Sequence, residues 1–123
     1  MITTTAVPAV SGKGRLIALW SLSSLVALVF LAAGGAKLAG VPVMIQMFDK
    51  VGLGQWFRYF TALLEVAGAI GLLMRRYAFY AAILLGIVMI GAIVAHVTVL
   101  GGSPAPAASL LVLSGIIAYL RKA

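Results

Sequence analysis

Apolar residues dominate four long runs in this chain, at about residues 16–36, 57–74, 77–100 and 105–120, and short polar or breaker-rich stretches separate them. A helix needs roughly 20 apolar residues to cross a hydrocarbon core, so each run predicts a spanning helix. The second and third runs are parted only by Arg75-Arg76, which leaves room for a tight turn, and the third and fourth by Gly101–Pro106, an uncharged GGSPAP turn. The connection from Leu38 to Gln55 is different, being too long and too apolar for a turn. With Pro42 in its first turn, Met44, Ile45, Met47, Phe48 and Val51 would form an apolar side opposite Gln46, Asp49 and Lys50. This predicts a short amphipathic surface helix at about 42–51, ended by Gly52 and Gly54. The expected fold is all-α: an integral membrane four-helix bundle with that surface helix between the first and second spans. Residues 1–14 lack apolar periodicity and read as a mobile tail, and 15–123 as one transmembrane domain. A basic start and small residues also describe a signal peptide, but the first run is long and three more follow, which favours an uncleaved helix.

Helical spacing assigns faces to these runs. Glu65 stands near the middle of the second run and shares a face with Arg58, Thr61, Ala62, Gly68, Ala69 and Leu72, a stripe of polar and small residues suited to neighbouring helices rather than lipid. On the first run Ser23, Ala27, Phe30, Gly34 and Lys37 form the expected packing face. Small residues four apart, Ala67 and Gly71, Ala82 and Gly86, Gly91 and Ala95, Ser114 and Ala118, predict close helix contacts.

Composition agrees with a bilayer environment, since 64% of the 123 residues are hydrophobic and 9% are charged, against about 25% charged in soluble domains. A net charge of +7 would suggest nucleic acid in a soluble protein. Here the basic residues flank apolar runs, so they read as topology signals and nucleic acid is not an expected partner. The absence of cysteine excludes disulfides, a CxxC redox centre, thiolate metal ligation and a catalytic thiol. Four spans put both ends of the chain and the middle turn on one side. That side carries Lys13, Arg15, Arg75, Arg76, Arg121 and Lys122, and the other Lys37, Lys50 and Arg58. The excess of six over three predicts both termini in the cytoplasm of a plasma (inner) membrane.

In this orientation Glu65 lies about 12 Å below the outer boundary and His96 about 6 Å, with Lys37 and Arg58 at that boundary. The candidate ligand-binding or polar cluster is therefore Glu65, His96, Lys37, Arg58 and Thr61, in a pocket opening outward, while the charges at the cytoplasmic end only flank the spans. An ionisable group at such depth is expensive and points by default to function. Glu65 fits ligand or proton contact, and equally a structural anchor paired with Lys37 or Arg58. His96 fits a hydrogen bond to a neighbouring helix or a substrate contact, and Lys37 either snorkels to the interface or pairs inward. A haem would need a second axial ligand that Met89, on the same helix, cannot supply, and one His with one Glu make half a zinc site. No cofactor and no metal are expected.

The GGAKLAG segment at 34–40, the LG-x-W-F-R-Y stretch followed by ALLEVAGAIGLLM at 62–74, the Arg pair and His96 ahead of GGSPAP resemble the DoxX family, in its DoxX-like branch. The resemblance covers about Leu16 to Leu120. It implies a four-helix membrane bundle in which Lys37, Glu65 and His96 occupy the Lys, Glu and His positions of the family pattern, and an association with quinone-linked redox complexes.

Three functions from different classes follow. The first is a non-catalytic subunit or small-ligand-binding bundle in a larger redox-associated membrane complex, its polar cluster taking a quinone head group, a lipid or a partner helix. Its expected partners are the bilayer, a membrane protein or further copies of itself, and a quinone or lipid. The second is a small proton-coupled carrier that uses Glu65, for which the spans show no inverted repeat. The third is a membrane enzyme with Glu65 and His96 as acid and base, which lacks a nucleophile motif, a metal set or a nucleotide loop.

Overall fold

The computed structural model describes residues 12–122. The expected N-terminal tail thus lies outside the described residues except for Gly12, Lys13 and Gly14, which already belong to the first helix. Five α-helices follow in order: α1 Gly12–Ala39, α2 Pro42–Val51, α3 Trp56–Leu72, α4 Ala78–Ala95 and α5 Ala105–Arg121. A π-helical segment, His96–Leu100, continues α4. No strand occurs among the described residues.

Local chemistry sets the helix ends. At the end of α1, Gly40 takes φ 72°, its N–H donates to Lys37 O and the Val41 N–H to Ala36 O, a left-handed glycine termination. Pro42 then opens α2, where its missing N–H costs nothing. Gly52, at φ 82°, closes that helix by donating to Phe48 O. The α3 helix ends at Leu72, two residues short of the apolar run, because residues 73–77 form the turn that the Arg pair predicts. The Ala105 N–H donates to Ser103 Oγ at 3.1 Å at the start of α5.

Packing follows the small-residue faces. α1 packs on α3, α3 on α4, α4 on α5, and α5 closes back onto α1. The core between them holds Val26, Ala27 and Phe30 of α1, Ala69 and Leu72 of α3, Ala81, Ala82, Leu85 and Met89 of α4, and Ala107, Ile117 and Ala118 of α5. Half of these twelve residues are alanine, so helix axes come close and few large side chains fill the interior. A methyl group at Gly68 would lie 2.6 Å from Leu85 Cδ2, and one at Gly71 would lie 2.8 Å from Ala81 Cβ. The α3–α4 contact therefore requires glycine at both positions. Gly91 differs from the expectation of a close contact: it is exposed and has no neighbour within 4 Å of a built Cβ. Its side of α4 faces outward, because α3 and α5 already occupy the Ala81, Ala82, Leu85 and Met89 face.

The large apolar side chains point outward instead. Leu25 and Leu28 of α1, Leu63 of α3, Ile87, Ile90 and Val94 of α4 and Val112 of α5 are all exposed. A small-residue interior under an apolar exterior is what a hydrocarbon surround selects, since lipid imposes no penalty on exposed leucine. Two helices are long and apolar enough to cross a membrane, Gly12–Ala39 and the continuous Ala78–Leu100.

Candidate functional site

The ionisable residues at the α2 end of the molecule divide into two neighbouring groups. The first joins α1 to α3. Lys37, in the last turn of α1, places Nζ 2.8 Å from Glu65 Oε1. Glu65 is 2% exposed, and no second hydrogen-bond donor among the described residues reaches that oxygen. The helices meet closely enough for this pair because residue 34 is glycine. A Cβ there would sit 2.7 Å from Val66 Cγ2 and 3.2 Å from Ala62 O, one turn before Lys37. The carboxylate is thus paired with the cation that the close α1–α3 approach brings to it.

Arg58 shares the Glu65 face but serves a different acceptor. Its Nη1 donates to Lys37 O, a carbonyl at the C-terminus of α1, where the helix dipole favours a cation. Its Nε donates to Gln55 Oε1 at 2.8 Å, and its guanidinium lies 4.3 Å from the centre of the Tyr59 ring. Gly40, whose φ of 72° favours glycine, lies beside it, with a built Cβ at an ordinary contact distance of 3.5 Å from Arg58 Nη1. Gln55 passes the connection onward: its Nε2 donates to Ile45 O at 3.0 Å and to Asp49 Oδ1 at 2.9 Å. Arg58 and Gln55 therefore tie the end of α1 to α2, with Phe48 buried against Phe57 at 5.9 Å between ring centres. Neither Gln55 nor Asp49 stands among the candidate residues read from the sequence. The available signal was the three-residue spacing of Gln55 and Arg58 at the start of α3, which places both side chains on one face. Thr61 lies half-buried on the same helix and makes no polar contact with these groups.

His96 belongs to the second group. Its Nδ1 is 2.8 Å from Ala92 O. A carbonyl can only accept, so Nδ1 carries a proton, and in the neutral tautomer that this bond selects the lone pair is on Nε2. His96 begins the π-helical segment, in which Thr98 Oγ1 also donates to a carbonyl four residues back, Val94 O, at 2.6 Å. The wider π turn is a form often found at functional positions. His96 lines a cavity of about 270 Å³ between this segment and α2, together with Val43, Gln46, Met47, Lys50 and Leu100. The cavity joins apolar walls to an imidazole, an ammonium and an amide, a combination suited to a polar head group on an apolar body. Lys50, read from the sequence as the polar side of a surface helix and as a flanking charge, lines this cavity as well.

The opposite end of the bundle departs from the expectation of charges that merely flank the spans. Arg15, Arg75 and Arg121 converge there on a second cavity, of about 320 Å³. No group of three or more His, Cys, Asp or Glu side chains able to hold a metal ion occurs among the described residues.

No curated protein and no solved structure matches the chain at a significant level. The profile of the DoxX-like family does match, over residues 21–119, a segment that takes in every α-helix at least in part and both groups of residues around Glu65 and His96. With its two span-length apolar helices, the chain is a membrane protein that belongs to the DoxX-like family.

Proposed function

We propose that this protein is a four-span, non-catalytic subunit or small-ligand-binding bundle of a larger redox-associated membrane complex, and that its ligand is the head group of a quinone or lipid held beside His96. The cavity between α2 and the π-helical segment carries the reading. At about 270 Å³ it lies just below the usual range of roughly 300–1,000 Å³ for whole ligands, a size for one ring or head group. Within it Lys50 and Gln46 offer donors to a carbonyl oxygen, and the Nδ1-protonated tautomer of His96 offers Nε2 as an acceptor for a hydroxyl proton. Oxidised and reduced forms of a quinone would thus find different partners in one site. In this reading the Lys37–Glu65 pair and the Arg58–Gln55 link are the frame that sets α1, α2 and α3 around the cavity. Glu65 is already engaged by Lys37, which favours the anchor role over a proton carrier.

The four spans would be α1, α3, α4 with its π-helical extension, and α5. Two of them, α3 and α5, have 17 residues each, about 26 Å of helix, at the lower limit for crossing. The charge asymmetry of the flanks supports cytoplasmic termini and an α2 end facing outward, in a plasma membrane.

Gentle extraction of the protein from its own membrane, followed by mass spectrometry of all that remains bound, tests the reading. A stable set of subunits, or a quinone or lipid that His96→Ala and Lys50→Met remove, is the expected result. A protein that emerges alone and empty, in a membrane that contains quinones, would refute it.

A further inference from the structure

The three arginines at the other end of the bundle have no part in that proposal. Arg15 stands in the first turns of α1, Arg75 in the turn after α3, and Arg121 at the end of α5, so three separate elements deliver them to one cavity of about 320 Å³. Arg75 and Arg121 face the same cavity, and like charges gathered around one space oppose one another unless an anion lies between them. The chain cannot supply an acidic side chain, because its two are Asp49 and Glu65, engaged by Gln55 and Lys37 at the far end.

Arg121 adds the decisive detail. Its Nε and Nη2 are buried and have no acceptor among the described residues. Its guanidinium is held in place against Trp20, 4.9 Å from the ring centre, while Arg15 Nη2 donates to Leu120 O at 3.0 Å. Buried charged donors without acceptors are costly, and a guanidinium edge matches two oxygens of one phosphate. Leu16, Leu19 and Leu120 complete the wall and give the site an apolar flank.

From this convergence we infer that Arg15, Arg75 and Arg121 form a binding site for a phosphate group. The phosphate can belong to an anionic lipid, whose acyl chain would run along Leu16 and Leu19, or to a soluble phosphate.

The test uses the whole chain in nanodiscs of phosphatidylcholine, with and without phosphatidylglycerol, and separately with inorganic phosphate added to phosphatidylcholine discs. Thermal unfolding is the readout, because a ligand of the folded state raises Tm with its concentration. One or other probe should raise Tm. Arg75→Gln and Arg121→Gln should each shift the midpoint of that titration about tenfold to higher concentration, one charge-assisted hydrogen bond's worth. Arg76→Gln, next in sequence but outside the cavity, should leave it unchanged. Stabilisation by phosphatidylglycerol alone identifies a lipid phosphodiester, and stabilisation by inorganic phosphate a soluble ligand; both uphold the site. It is overturned if neither probe raises Tm, or if Arg76→Gln weakens the effect as much as Arg75→Gln, which is general attraction to a charged surface. Among the described residues Arg75 makes no hydrogen bond or ion pair whose loss would confound its substitution with misfolding. A lipid bound beside His96 would raise Tm equally in the arginine variants, so stabilisation that neither Arg75→Gln nor Arg121→Gln weakens also overturns the site.

Discussion

Breaking the Lys37–Glu65 pair should have unequal consequences on its two sides. The Lys37 side chain keeps 12% of its surface exposed and sits in the last turn of α1, whereas the Glu65 side chain keeps 3% and sits in the middle of α3. After Glu65→Gln the ammonium can swing toward the end of the helix and find water, so the loss should be about 1–2 kcal/mol, below the figure for a fully buried pair. After Lys37→Met the carboxylate has no other donor at Oε1 and no path to water. That loss should reach about 3–5 kcal/mol, the range for an uncompensated buried charge. The double variant buries neither charge and should cost less than the sum, leaving a coupling of about 2–3 kcal/mol. The assay is a double-mutant cycle on unfolding free energy in one detergent. Additive losses would refute the pair, and a larger loss for Glu65→Gln than for Lys37→Met would refute the argument from burial.

Two further outcomes are expected. Gly68→Ala should lower unfolding free energy by about 1–3 kcal/mol, because its methyl would meet Leu85 at 2.6 Å, while Gly91→Ala, with nothing within 4 Å, should be neutral or slightly stabilising; equal effects would dispute the α3–α4 contact. Ser103→Cys would be the chain's single thiol, and it should react with an impermeant thiol reagent in intact cells; labelling only after lysis would reverse the proposed orientation.

Elements governed by local chemistry could be read without a structure. The α2 bounds, 42–51, follow from Pro42 at one end and Gly52 at the other, and the structure places them there. The inward face of α3 was equally legible: Arg58, Ala62, Glu65, Gly68, Ala69 and Leu72 are all buried, as their spacing requires. On α1, Ser23, Ala27, Phe30 and Gly34 are buried too. Small residues mark contact faces only where a neighbour exists, which is why Gly91 misled and Gly34 did not. The π-helical segment had no sequence signal, since the register change over His96–Leu100 depends on how α4 meets α2 and on carbonyls that the His96 and Thr98 side chains engage.

By itself, then, the sequence determined the helical elements, their inward faces and the position of each charge along its helix, because turn residues, periodicity and helix rise are local properties. Which charges meet was decided by tertiary structure. Lys37 and Arg58 stand at the same end of the bundle, and only the close α1–α3 crossing at Gly34 gives Glu65 to Lys37 and sends Arg58 to the carbonyl of that same lysine. Packing also divided the polar residues of the α2 end into a paired frame and a histidine cavity. At the other end it drew into one pocket three arginines that lie up to 106 positions apart in the chain, Arg15 to Arg121. Position along a helix is fixed by the sequence, but contact between side chains depends on how helices are placed around one another, and that requires the whole bundle.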